Sequence, residues 1–214
     1  MNDSSLSDMQ IRLLATIFER GAAAGSPALS RWIGRPVRMS VSSVELVELG
    51  ELSGRLGPDD ATVAVCSMSF AGRLDGMVLL VFHGDSGLAL VDLLLRRPEG
   101  TTVEWSELER SAACETANIV GCAYLNALAA HLPRGSGESV ETLIPSPPHF
   151  RHEFAGSLLE FALMEQALVL ERVLLIESRF EAEGTKLDLT LLFAPSAEGL
   201  DALARLDPRD IGTI

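Results

Sequence analysis

Basic charge is scarce in this sequence. Seventeen Lys and Arg residues stand against thirty Asp and Glu, a formal net charge of −13, and Lys186 is the sole lysine. A chain so acidic lacks the clustered positive surface that phosphate backbones require, which argues against nucleic-acid binding. Aromatic residues are few as well, 5% of the chain against 47% hydrophobic overall, so the interior is expected to be packed from Leu, Val and Ala. Long apolar runs are missing, and none approaches the roughly 20 residues that a bilayer span needs. The opening MNDSSLSDMQ lacks the charged-then-apolar order of a secretory signal, so a cytoplasmic protein with no membrane partner is expected. Three cysteines, Cys66, Cys114 and Cys122, form no metal-binding pattern and cannot all pair. Cys114 and Cys122 are two helical turns apart, too far for a disulfide within one helix. They are expected to be small buried apolar residues in a reducing compartment.

What the sequence does contain is periodicity. Met9 to Trp32 has helical spacing at Ile11, Leu14, Ala15 and Phe18, with Gly21, Gly25 and Pro27 predicting a kink or break near 21–27. Pro36 to Leu49 alternates as a strand. Residues 50–60 read as a polar connection in which Glu51 to Leu56 could make a helical turn. Thr62–Phe70 and Leu74–Phe82 flank a Gly72-Arg73 turn, the pattern of a hairpin. Asp85 or Ser86 is expected to cap a short helix to about Arg97. A second long helix follows from about Glu104 to Leu132, capped near Thr102, then a strand around 138–145 and a Pro-rich bend at 145–148. Residues 152–161 have no close counterpart earlier. Leu168–Phe180 and Lys186–Phe193 form another apolar hairpin, and Pro195 begins a last helix ending near Leu206.

The most informative stretch is residues 106–128, which places Glu115 and Asn118 one turn apart on a common helix face. The N-terminal helix holds an altered copy of it. At an offset of 99 residues Ala28-Leu29-Ser30 corresponds to Ala127-Leu128-Ala129, Asn118 falls on Glu19, Glu115 on Thr16 and Ser111 on Arg12. The apolar frame repeats and the polar pair does not. The two hairpins, from Phe70 to Phe82 and from Phe180 to Phe193, match as well. The expected fold is therefore α+β: pseudo-twofold duplicated helix-strand-hairpin-helix halves forming one continuous β-sheet, with two long helices packed on one face. A single domain is expected over residues 1–214, with one half at about 8–98 and the other at about 102–207, because either half alone would leave a sheet edge or face open.

Ser111-xxx-Glu115-xx-Asn118, then Ile119 and Tyr124-Leu125-Asn126-Ala127-Leu128, resembles the active-site helix of the CheC/FliY/CheX family. Those proteins dephosphorylate the response regulator CheY in bacterial chemotaxis. The resemblance spans nearly the whole chain, through the Ile144–Pro148 segment and the final Leu192-Phe193-Ala194-Pro195. It implies a phosphatase acting on the aspartyl phosphate of a phosphorylated CheY-like receiver domain. Asn118 would hold an attacking water in line, Glu115 would pair with the regulator's active-site lysine, and Ser111 would extend the docking face. The chain needs no cofactor of its own, since the phosphoaspartate and its Mg2+ belong to the partner. Where many CheC-type members carry a second Glu-xx-Asn, this chain has Thr16 and Glu19, so one working site is expected. The short N-terminus and lack of a C-terminal switch domain speak against a FliY-like flagellar component. The alternative implied by the resemblance is a non-catalytic CheC-like adaptor that binds a receiver domain or a CheD-like deamidase.

Other polar features carry plainer readings. Asn126 is expected to be a surface or packing residue. His149 and His152, without further ligands nearby, belong to a loop by the Pro bend rather than to a metal site. His83 and His131 read as element ends, Glu165, Glu171 and Arg172 as a solvated helix face or loop. Gly84-Asp-Ser-Gly87 lacks the length and lysine of a phosphate-binding loop.

Overall fold

The computed structural model describes residues 6–58, 60–132, 143–157, 172–182 and 185–206. The start of the chain, the strand expected at 138–142, the charges at Glu165 and Glu171 and the outer end of the second hairpin at 168–171 lie outside the described residues.

Helix α1 (Asp8–Ile33) begins at a capping box in which the Ser7 hydroxyl accepts from the Gln10 N–H, and it ends at Gly34, whose φ of 76° is left-handed. Strand β1 (Val37–Glu48) follows, then helix α2 (Leu49–Leu56), strands β2 (Thr62–Ala71) and β3 (Gly76–His83), and helix α3 (Gly84–Leu94). The second half runs through helix α4 (Glu107–Ala129), short strands β4 (Ile144–Pro145) and β5 (His149–Phe154), long strands β6 (Arg172–Ala182) and β7 (Thr185–Pro195), and helix α5 (Ala197–Ala204). The duplication is visible in the caps. Ser106 is the N-cap of α4 and Ser7 that of α1, separated by the same 99 residues as the repeated apolar frame.

One antiparallel sheet takes strands from both halves, in the order β1-β6-β7-β3-β2, with β4 and β5 both on the outer side of β2. The halves exchange strands. β1 pairs with the second hairpin, with Val37 opposite Ala182 and Glu48 opposite Arg172. The strands that follow α4 pair with the first hairpin, with Phe70 opposite Pro145 and Cys66 opposite Phe150. β3 and β7 join the hairpins at the centre. Each half thus covers an edge that the other would leave unpaired.

Helices α1 and α4 lie side by side on one face. Leu14, Ile17, Phe18, Leu29, Ala113, Val120, Tyr124 and Leu128 are buried between them and the sheet. A Cβ on Gly21 would meet Tyr124 Cδ1 at 2.8 Å, and one on Gly25 would meet Ala123 Cβ at 2.9 Å; the small residues set how closely the helices approach. Tyr124 packs edge-on against Phe18 at 5.6 Å and hydrogen-bonds Ser178 Oγ at 2.6 Å inside the core.

Several expectations change. No break occurs at 21–27: the helix is continuous through Pro27. Pro27 and Ala23, the residue whose carbonyl loses its partner, are both exposed, so the lost hydrogen bond falls on the solvent side of the helix and not in the core. The second face of the sheet is covered as well, by Leu52 and Leu56 of α2 against Val63, Leu79, Val81, Leu175 and Leu192. Neither Asp85 nor Ser86 caps α3, whose N-cap is His83. Thr102 does not cap α4. Its N–H and that of Thr101 donate to the buried Asp92 carboxylate, and Arg97 bridges the Thr102 hydroxyl to Glu109 Oε1 at 2.7 Å. The helix starts later because Trp105 folds inward against Phe82 and Phe150.

Two predictions follow from these contacts. Tyr124→Phe leaves the Ser178 hydroxyl buried without its partner and should lower unfolding free energy by about 1–2 kcal/mol, with Ser178→Ala added to it costing little more; denaturant titration of the double-mutant cycle reads this. The Ser106 hydroxyl and the Arg97 guanidinium hold the Glu109 carboxyl below its ordinary range. A depressed folded-state pKa contributes stability that is complete above the unfolded value of about 4.3 and is lost as pH falls through the lowered one. Wild type should therefore lose stability more steeply than Glu109→Gln on acidification below about pH 5.

Candidate functional site

α4 divides its surface between two tasks. Ala112, Ala113, Thr116, Ala117, Val120 and Gly121 are buried, and a Cβ on Gly121 would strike Met68 Cε at 2.1 Å. The intervening residues face outward: Ser111 and Glu115 are exposed and Asn118 is half-buried. These three line a groove of about 530 Å³ together with Trp32, Cys114 and the segment Pro145–Pro148. The helix brings together all three residues expected from the sequence.

The far wall of the groove is fixed by β2. Ser146 N–H donates to the Ser69 carbonyl at 2.8 Å, and Ser69 N–H donates to Ser146 Oγ at 3.1 Å. Three prolines in this wall restrict its backbone further. The Cys114 thiol reaches the Pro148 carbonyl at 3.9 Å. Trp32, from the last turn of α1, forms another wall and is 41% exposed.

Among the described residues, the side chains of Glu115 and Ser111 have no hydrogen-bond partner within the protein. The Asn118 carboxamide oxygen accepts only the soft Cys122 thiol, at 3.6 Å, and so keeps lone-pair capacity for a water or partner group. Asn118 also lines a second groove, of about 590 Å³, that runs between α1 and α4 past Gly25, Ile119, Cys122 and Ala127 to His131. His131 contacts the Ala127 carbonyl and Arg20, closing that end. The amide therefore stands on the ridge between a mixed groove and an apolar one.

In the first half the corresponding positions are differently engaged. Thr16 and Glu19 line a smaller groove against Val41–Val44 of β1, the counterpart of the α4 groove against 145–148. There the polar groups are engaged. Thr16 Oγ1 donates back to the Arg12 carbonyl at 3.0 Å. Glu19 Oε2 accepts the Val41 N–H at 2.6 Å, beside the register shift between Val41 and Ser43. Glu19 thus satisfies a strand amide where the ladder slips.

The sequence reading missed Trp32 as a groove wall, the Ser69–Ser146 bracing and the Glu19–Val41 bond. The 99-residue offset pointed at Glu19 but could not reveal which backbone group it meets. Among the described residues no group of three or more His, Cys, Asp and Glu is placed to hold a metal ion. His149 and His152 are exposed on β5 rather than in a loop. No helix among the described residues is long and apolar enough to cross a membrane.

No family model matches the chain. Its architecture is nonetheless shared with solved structures along most of its length. FliY of Thermotoga maritima superposes with a TM-score of 0.70 at 17% identity, covering 92% of this chain and 95% of that one. The FliM middle domain from H. pylori gives 0.64 at 14% identity over 93% and 98%. CheX from Desulfovibrio desulfuricans gives 0.50 at 13% identity over 86% and 99%. The protein is an α+β fold of paired helices on one antiparallel sheet. More specifically, it has the fold of CheC/FliY/CheX-type proteins.

Glu19→Ala should cost about 0.5–1.5 kcal/mol by leaving the Val41 amide without its acceptor. Hydrogen exchange should show faster exchange at Val41, with amides in β2 and β3 little changed.

Proposed function

We propose that this chain hydrolyses the aspartyl phosphate of a phosphorylated CheY-like receiver domain at the α4 groove. The observation that carries the reading is an exposed Glu115 without a protein partner among the described residues, one turn from an Asn118 whose oxygen is nearly free, both opening on one groove. The fold shared with FliY and CheX and the sequence resemblance of α4 support it.

The chemistry asks little of the chain. Glu115 pairs with the regulator's lysine, which fixes docking and clears space beside the acyl phosphate. Asn118 then accepts a hydrogen bond from a water and holds it in line with the phosphorus. A carboxamide is no base at neutral pH, so its contribution is orientation, a large part of catalysis in phosphoryl transfer. The P–O bond to the regulator's aspartate breaks and inorganic phosphate leaves. Mg2+ is carried by the receiver, and Ser111 and Trp32 border the docking surface.

A second reading is a non-catalytic adaptor for a receiver domain, a CheD-like protein or another signalling partner. The engaged Thr16 and Glu19 favour it, as does the nearer structural match to the FliM middle domain than to CheX. The FliM structures from H. pylori include complexes with FliG and SpeE.

Loss of radiolabelled phosphate from a receiver domain separates the readings. Wild type should accelerate it, Asn118→Ala should lose about 10²-fold through loss of positioning, and Glu115→Ala should bind more weakly with a reduced salt dependence. Equal rates for wild type and Asn118→Ala would overturn the phosphatase, and binding without turnover would establish the adaptor.

A further inference from the structure

All three thiols of the chain gather around the same two turns of α4. Cys122 donates to Asn118. Cys114 is half-exposed and lines the groove beside Glu115. Cys66 is fully buried on β2, directly beneath, with its sulfur 3.9 Å from that of Cys114. Cys66 is buried as expected, whereas Cys114 and Cys122 are only partly so.

We propose that Cys114 and Cys66 form a peroxide-responsive pair, Cys114 the site of oxidation and Cys66 the resolving thiol, and that their disulfide disables the Glu115–Asn118 face. The disabling of turnover rests on the phosphatase reading above; the chemistry of the pair does not. Cys114 meets the two needs of a sensor thiol, access and activation. The groove opens it to a small oxidant. The Cys66 thiol, donating to its sulfur, brings Cys114 down to about 7, while that contact and burial push Cys66 up. The more exposed sulfur is therefore the one that ionises first.

The steps balance. The Cys114 thiolate attacks one oxygen of hydrogen peroxide, the O–O bond breaks, and the departing hydroxide takes a proton to become water, leaving a sulfenic acid on Cys114. The Cys66 sulfur then attacks the Cys114 sulfur, the S–O bond breaks, and hydroxide leaves with the Cys66 proton as a second water. Two thiols are oxidised by two electrons and one peroxide is reduced. Cys122 is a poor alternative resolver, two turns along the same rigid helix.

Closure draws the Cys114 sulfur out of the groove and down towards β2. A disulfide needs the sulfurs at about 2.05 Å, and Cys66 is held in a strand paired on both sides, opposite Leu80 and Phe150. The Cys114 side chain is therefore the one that turns inward, and it adjoins Glu115 in the groove lining. The Cys114–Pro148 contact that joins helix and groove wall is lost in the same step.

The test treats the full chain with stoichiometric hydrogen peroxide and maps thiols by non-reducing peptide mass spectrometry. The expected product in wild type and Cys122→Ser is an intramolecular Cys66–Cys114 bridge. In Cys66→Ala, a sulfenic acid on Cys114 is expected, captured by dimedone. A bridge involving Cys122, oxidation confined to Cys66 or Cys122, or only intermolecular bridges would overturn the pair. Circular dichroism verifies that each variant is folded, and Cys66→Ser serves as a second replacement at the buried position. In the phosphate-release assay, the treated-to-untreated rate ratio of wild type should fall by about ten-fold or more, since ångström-scale misplacement of positioning groups costs up to about 10²-fold. Dithiothreitol should restore it, and the ratio for Cys114→Ser should stay near one whatever its untreated rate. A bridge that forms without lowering turnover would overturn the control. A bridge in a protein with no turnover when reduced would overturn the phosphatase and leave the thiol pair standing.

Discussion

The close approach of α1 to α4 governs the geometry of the site. At Gly21 and Gly25 there is no room for even a methyl group between the two helices, and interiors at native density transmit a displacement rather than absorb it. Because α4 also rests on Met68 at Gly121, it is clamped on two sides by contacts that tolerate no added atoms. Its third side is consequently presented at a fixed height and rotation. Ser111, Glu115 and Asn118 all lie on that side. Tyr124 locks the same helix axially, since its ring meets Phe18 and its hydroxyl reaches Ser178 on a strand of the second hairpin. On the proposed phosphatase reading the chemistry is orientation, and such a site gains most from this kind of support because its members contribute by where they stand.

The exchange of strands between halves explains how the two grooves came to differ without harm to the fold. Each long helix faces a segment that pairs with the hairpin of the opposite half: α1 faces β1, and α4 faces 144–148. In the first half the segment is a regular strand with one register slip, and Glu19 satisfies the amide left there. In the second it is a short strand and three prolines, braced by Ser69 and Ser146 and touched from α4 only by the Cys114 thiol at Pro148, not by Glu115 or Asn118. Asn118 and Glu115 are released from structural duty because the groove wall holds itself. Restoring the acid–amide pair in α1 would therefore require a new acceptor for Val41 as well as two substitutions.

Much of this was legible in the sequence because it rests on periodicity. The two long helices, both hairpins and the 99-residue duplication follow from apolar spacing, which reports the side each residue buries. Glu115 and Asn118 could be placed on one face from their separation alone. What stayed hidden depends on contacts distant in sequence. Thr102 has the chemistry of a helix cap, yet Asp92 and Arg97 claim it and Trp105 turns inward, so the helix begins at Ser106. Pro27 is a helix breaker by composition, but its rotational position puts the lost hydrogen bond on the solvent side of the helix. The proximity of Cys66 to Cys114 required knowing which strand passes under which turn, and Trp32 joins the groove only because α1 and α4 are so closely packed.

Charge gives the groove a character the whole chain does not share. The protein carries a formal charge of −13, and a phosphoryl ligand is itself an anion, so the average surface opposes such a partner. Screening limits that opposition to a range of about 8 Å at physiological ionic strength, which leaves the immediate lining decisive. Around the α4 groove that lining is Trp32, Ser111, Cys114, Asn118, Pro145, Ser146, Pro147 and Pro148, with Glu115 its one acidic residue. On the proposed reading, a largely stiff rim with Glu115 as its one acidic residue can accept a cationic side chain next to an anionic group, the Cys114 thiol being the other lining group that can become negative. The equivalent position in the first half holds Glu19 where Asn118 would be, which places negative charge where the anion would have to sit. On the proposed reading, exchange of one carboxylate for a carboxamide at that position is what separates the α4 groove from its counterpart as a place for a phosphoryl group.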